Sequence, residues 1–239
     1  MNQMLTIARR ELLSFFFSPI AYVVLGLFGL GSALMFVINF GPGEPARLRP
    51  TLDGLIWLMI FIVPAISMRL LSEELRSGTI ETLMTAPVSD MEVIIGKWLG
   101  AMGFFAVLLL PLIALAIVLE SVADPDFGPI LTGLLGLLLV GGLYLAIGTF
   151  ASAMTQNQII AFLATASIIC LLTIALYFLP QAAWVGPNLQ KAMYYMNINY
   201  QFDAFNRGLV ALPNVLYFIS STVLFLFLAV KTLESRRWR

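Results

Sequence analysis

EELRSGTIETLMTAPVSDMEVIIGK, residues 73–97, is the one long polar stretch in a chain that is otherwise mostly hydrocarbon. It holds five of the thirteen acidic residues, Glu73, Glu74, Glu81, Asp90 and Glu92. Long apolar runs lead into it and out of it. A polar island in that position reads as an extramembrane link between two membrane-spanning helices. Its side chains are therefore the first candidates for contact with a partner.

Composition supports the membrane setting. Apolar residues make up 60% of the 239 and charged residues 11%, with a mean hydropathy of +0.96. A soluble domain carries about 45–50% apolar and about 25% charged residues, so the chain falls in the integral-membrane class. The formal net charge is zero, which gives no reason to expect a nucleic-acid partner. A single cysteine, Cys170, excludes an intrachain disulfide and a multi-cysteine metal centre. There is no histidine, which removes Ser-His triads, HExxH zinc sites and histidine proton relays together. No GxxxxGK[ST] run is present, so a conventional P-loop is absent. No catalytic residue, metal site or bound cofactor is expected in this chain, and it does not read as an enzyme.

Apolar runs predict an all-α integral membrane fold with six spans, at about 19–40, 55–71, 91–119, 129–154, 159–179 and 213–231. The first run has 22 residues; at about 1.5 Å per residue it crosses a bilayer. It exceeds the about 7–15 residues of a signal-peptide core, so it reads as a retained span. Before it, residues 2–17 read as an interfacial helix with Leu5, Ala8, Leu12 and Phe15/Phe16 toward lipid. Ser18-Pro19 marks the bend. Pro64 is expected to kink span two. Ser89 and Glu92 fit a capping box at the start of span three, with Val88 and Val93 as a staple. Gly96, Gly100 and Gly103 follow, at a spacing that lets another helix approach closely. Span four is glycine-rich for the same reason. Residues 180–212 are too long for a turn and too aromatic for a solvated loop. They predict two short helices, near 188–196 and 200–210, that dip into the outer leaflet or cap the bundle. Tyr194, Tyr195, Phe202, Phe205, Arg207 and Gly208 are the outer-gate candidates.

Six spans put both termini on one side. Arg9, Arg10, Arg69, Arg76, Lys97, Lys231, Arg236, Arg237 and Arg239 fall on that side, against Arg47, Arg49, Lys191 and Arg207 on the other. The excess makes the terminal side, with the 73–97 link, cytosolic in a cell inner (cytoplasmic) membrane. Arg69, Lys97, Glu120 and Lys231 all lie near predicted span ends. Ion-coupled carriers usually need ionisable groups inside the membrane, so any energy for work is expected from another chain.

The run Glu74-Leu-Arg-Ser-Gly-Thr-Ile-Glu-Thr-Leu-Met-Thr-Ala-Pro-Val-Ser, followed by Glu92-Val and Gly96-Lys97, resembles the cytosolic signature of type-2 ABC-transporter permeases. Ala8-Arg-Arg-Glu-Leu, Phe202-Asp-Ala-Phe-Asn-Arg-Gly208 and Leu233-Glu-Ser-Arg-Arg-Trp238 are similar to the branch with gliding-motility and copper-enzyme-maturation permeases. The resemblance implies one permease domain over 1–239, the transmembrane subunit of an exporter whose ATP and Mg sit on separate ABC ATPase subunits. It implies two such ATPases and a second permease subunit, identical or homologous, and it allows an accessory protein on the outer side. It implies a substrate path lined by spans one, two and five. It also implies a coupling helix within 73–90, with Glu73, Glu74, Arg76, Gly78, Thr79, Ile80, Glu81, Leu83, Met84 and Pro87 as ATPase-coupling residues. The residues are compatible with that: Gly78 can break the preceding helix, Thr79 can cap a short one over 80–86, and Pro87 can end it. Ile80, Leu83 and Met84 then form an apolar face suited to a groove. The alternatives are a non-transporting mechanotransmission or scaffold subunit and an ATP-independent carrier or channel.

Overall fold

The computed structural model describes residues 3–40, 47–79, 88–182 and 184–237, and among them there is no strand. The helices are α1 (Gln3–Phe16), α2 (Pro19–Asn39), α3 (Arg49–Ser67), α4 (Ser72–Ser77), α5 (Asp90–Leu108), α6 (Leu110–Val122), α7 (Phe127–Met154) and α8 (Gln158–Cys170). After α8 come a π turn (Leu171–Ala175), a short α turn (Leu176–Phe178) and a 3-10 turn (Leu179–Gln181). The last three helices are α9 (Pro187–Met196), α10 (Ile198–Asn206) and α11 (Leu212–Arg237).

Six segments are long and apolar enough to cross a membrane: Pro19–Asn39, Arg49–Ser77, Asp90–Val122, Phe127–Met154, Gln158–Gln181 and Leu212–Arg236. They correspond to the six runs in the sequence, and the differences lie at their ends. The second span, α3, begins at Arg49, before the apolar run, because Pro50 occupies its first turn, where a missing N–H costs nothing. Asp53, expected in the preceding link, is therefore on the helix. The third span is broken at Leu109, two residues before Pro111, which has no N–H for the carbonyl one turn back.

The glycine-rich α7 forms the centre of the bundle, touching α3, α5, α8, α10 and α11. A Cβ on Gly136 would lie 2.8 Å from the Phe205 Cβ, and those on Gly141 and Gly148 would collide with the Phe105 ring and the Ser67 side chain. Without side chains at these points three neighbours reach the α7 backbone, so van der Waals packing replaces the hydrophobic drive that lipid cannot supply. Phe28, Leu55, Phe104, Leu137, Tyr144, Phe202 and Phe218 fill the core between them.

The N-terminal helix keeps Leu5 exposed, but Phe15, expected on the same lipid-facing side, is buried. Its buried stripe is Ile7, Glu11 and Phe15, while Leu5, Leu13 and Phe17 are exposed. The cause lies on α5. A Cβ on Gly96 would meet the Met4 carbonyl and the Ile7 Cβ at 2.9 Å, and one on Gly100 would meet the Ala8 carbonyl at 2.8 Å and the Glu11 Cβ at 2.6 Å. The close-approach pattern in span three is thus filled by α1. Both the start of the chain and its last described turn lie at this end of the bundle: Arg10 reaches Glu74 at 3.5 Å, and the Arg236 guanidinium donates to the Met154 carbonyl at 2.8 Å. We call it the terminal end. The opposite, far end carries α9, α10 and the link 123–126.

Candidate functional site

At the terminal end, α3 stops at Ser67 and four residues of turn intervene before α4. One side chain from α7 supports the break. The Ser152 hydroxyl accepts from the Leu71 and Ser72 amides at 3.0 and 2.9 Å and donates to the Met68 carbonyl at 3.1 Å. Unpaired backbone groups are costly when buried, so this hydroxyl pins the root of the polar link to span four. Leu71 and Leu75 complete the attachment in a small apolar cluster with Ile94, Ala153, Ala229 and Leu233. The α4 helix ends at Gly78, whose φ of +73° is left-handed, as a C-terminal glycine allows. Thr79 follows, exposed, its hydroxyl 2.8 Å from that of Ser77. Ile80, Glu81, Leu83, Met84 and Pro87 lie outside the described residues, and so does the expected short helix over 80–86.

The chain re-enters the bundle through the expected capping box. The Glu92 amide donates to the Ser89 hydroxyl at 3.2 Å, and the Glu92 carboxylate accepts from the Ser89 amide at 2.9 Å. One and a half turns on, Lys97 is buried with 2% of its side chain exposed. Its ammonium lies 3.1 Å from Glu11 Oε2 on α1 and 2.9 Å from Glu74 Oε1 on α4. The Arg69 guanidinium stacks 4.4 Å above the Phe15 ring. One Arg69 nitrogen, Nη2, and the second Glu74 oxygen, Oε2, are buried without a hydrogen bond. These groups border a cleft of about 670 Å³ between α1, α4 and α5, with Glu73, Ser77 and Thr79 at its rim.

Of the residues singled out in the sequence, Glu73 and Arg76 are exposed, while Glu74 is engaged within the chain. Gly96 and Gly100 form the seat of α1. Sequence reasoning placed Arg69 and Lys97 near span ends and quoted Glu11 and Lys97 within similar runs, but it gave none of Glu11, Lys97, Arg69 and Ser152 a site role. A signal for the first existed: Glu11 sits at the centre of the stripe Ile7, Glu11, Phe15, and a charge on a buried stripe needs a counter-charge. Nothing in the sequence distinguishes Ser152 from the other serines.

At the far end, α9 and α10 are close to the expected short helices. Phe202 and Phe205 are fully buried against α7 at Gly136, and the Thr132 hydroxyl donates to the Phe205 carbonyl at 2.7 Å. Arg207 pairs with Asp203, which also holds Arg49 at 2.9 Å. Gly208 takes a φ of +89° where the chain turns beside Pro129. Tyr194 and Tyr195 are less enclosed, with ring neighbours Tyr200 at 5.9 Å and Tyr217 at 6.1 Å. Among the described residues no cluster of Cys, Asp or Glu is arranged to hold a metal ion.

Six apolar helices around a glycine-rich centre, with a braced polar link between the second and third, define a multi-pass α-helical membrane protein. The chain belongs to the ABC-2 family transporter proteins, whose family model matches residues 52–233. The match takes in spans two to six and the 73–97 link, so Glu74, Lys97 and Ser152 fall within it and α1 precedes it. No curated protein matches the chain. The family is a membrane transport component rather than a catalytic ATPase, and it implies association with ABC ATPase subunits.

Proposed function

We propose that this permease is the transmembrane subunit of an exporter driven by ATP hydrolysis on separate ABC ATPase chains. Two permease subunits, identical or homologous, pair in a cytoplasmic membrane with both termini and the 73–97 link in the cytosol. Two ATPases bind beneath them, and ATP and Mg stay on those chains. Residues 80–87 seat in a groove on the ATPase, with Ile80, Leu83 and Met84 as the apolar face and Glu81 beside it. Closure of the ATPases pushes this segment, and its two roots deliver the push to the bundle.

The observation that carries this reading is the bracing of both roots. On one side Ser152 ties the 71–72 amides to span four. On the other the capping box starts span three, and Lys97 joins that span to α1 and α4. A solvated loop needs no such ties; a segment that transmits force does. The test is affinity purification of the chain in mild detergent. An ABC ATPase is expected to co-elute, with ATP turnover that depends on the permease. Recovery of the permease without any ATPase would overturn the proposal.

A further inference from the structure

A second site, of different chemistry, lies at the far end. A cleft of about 390 Å³ opens between the first turns of α3, the end of span five and the short helices α9 and α10. Asp53 and Trp57, one turn apart on α3, form one wall. Tyr177 stands edge-on to Trp57 at 6.0 Å. Tyr194 and Tyr200 pair at 5.9 Å across from them, and Asp203 closes the rim. Four electron-rich rings and two carboxylates therefore border one cleft, and no lysine or arginine is among its lining residues.

The charges are not equivalent. Asp203 is balanced by Arg49 and Arg207, which line the neighbouring cleft beside α7. Asp53 makes no ion pair among the described residues; the Asn206 amide is its hydrogen-bond neighbour, and Arg49, Asp203 and Arg207 act on it from beyond ion-pair distance. An anion entering here meets an unpaired carboxylate and the negative faces of the rings. An ammonium head meets a counter-charge and a set of faces that attract it.

The walls are also held in place. Within the π turn at Leu171–Ala175 the Thr173 carbonyl accepts from both the Asn197 and Asn199 side-chain amides, at 3.2 and 3.1 Å. The Thr173 hydroxyl pairs with that of the fully buried Tyr144 at 2.7 Å. The short helices are thus fastened to span five at the point where the aromatic wall stands.

We propose that this cleft binds a small monovalent organic cation, its ammonium head held by Asp53 and the rings of Trp57, Tyr194 and Tyr200. The cleft lies between spans two and five, so the cation is a candidate for the exported substrate class. That part rests on the exporter reading above; binding itself does not.

The experiment uses the full chain in lipid nanodiscs without ATPase, titrated by calorimetry with choline, with its neutral isostere 3,3-dimethylbutanol, and with acetate. Choline is expected to bind saturably and about tenfold or more tighter than the isostere, and acetate not at all. Asp53→Asn should abolish the preference for choline, and Trp57→Leu should weaken choline binding about tenfold. Equal binding of choline and its isostere to the unaltered chain, or no saturable choline binding, overturns the proposal without recourse to any variant. An ATPase that co-elutes with a chain blind to choline sinks this inference alone. Choline binding by a chain that recruits no ATPase sinks the exporter reading alone.

Discussion

Lys97 and Glu11 meet at 3.1 Å although they are 86 residues apart, and Lys97 is 2% exposed at its side chain. The pair joins α1 to span three, and Glu74 adds α4 to the same ammonium. A buried ion pair is a poor source of net stability, but removing one partner leaves the other charged and desolvated. Lys97→Ala should therefore cost about 3–5 kcal/mol, read as a fall in thermal unfolding temperature in detergent. Lys97→Met combined with Glu11→Leu and Glu74→Gln, which removes all three charges and roughly keeps the volume, should recover most of that. A single replacement with no measurable loss would mean that the pair is not buried as described.

Gly100 makes the contact that a side chain cannot share. A Cβ there faces the Ala8 carbonyl at 2.8 Å, and backbone does not move aside as a flexible side chain does. Gly100→Leu should cost at least the about 1–3 kcal/mol of ordinary overpacking and lift α1 from span three. Arg9 and Arg10 are exposed, so the rate of tryptic cleavage there, which follows local opening, reports detachment. Unchanged cleavage in the variant would refute the seat.

Ser152→Ala removes the acceptor of two amides and a donor to a carbonyl in one step. Leaving a buried polar group without a partner costs about 1–3 kcal/mol. The expected outcome is a measurable fall in stability and faster hydrogen exchange confined to 68–77. Exchange that rises uniformly over all six spans would mean that the serine does not act locally on this break.

Glu81→Lys and Leu83→Asp test the segment that should meet the ATPase. Each places the wrong charge on a face proposed to be apolar or acidic. Both variants should insert into the membrane at normal levels and lose most of the co-eluting ATPase. Full recovery of the ATPase with both would count decisively against coupling through 80–87.

Much of the fold is legible residue by residue. The capping box at Ser89 and Glu92 is a local pattern whose two bonds join residues three apart, so it needs no tertiary information. Gly78 is similar: a helix that must end there takes the left-handed conformation that glycine tolerates best. Gly96 and Gly100 show where legibility stops. Their spacing announces a close helix, but the pattern is on one helix only, and nothing in it names α1 as the occupant. Once α1 is seated, its buried stripe is set by the glycine groove rather than by its own strongest apolar face, which is why Ile7, Glu11 and Phe15 turn inward and Leu5 and Leu13 do not.

The start of α3 and the far-end cleft follow the same logic. Asp53 reads as a link residue because the apolar run begins after it, yet Pro50 allows the helix to begin earlier and places Asp53 one turn from Trp57. Tyr177, Tyr194 and Tyr200 come from three other elements. Their convergence depends on Asn197 and Asn199 reaching the Thr173 carbonyl in the π turn, and no local pattern encodes that.

Hydrocarbon content and run length were enough to specify six helices in a bilayer, because a backbone in lipid must satisfy its own hydrogen bonds and helices do so within each segment. The polar 73–97 link, its cap and its glycine break follow from the same local rules. Which helices touch was decided by the three-dimensional packing alone. Lys97 needs a counter-charge, but Glu11 and Glu74 reach it only because glycines admit α1 and Ser152 redirects α4. Pairing across such distances along the chain is a property of shape, and shape is settled by the whole set of contacts at once.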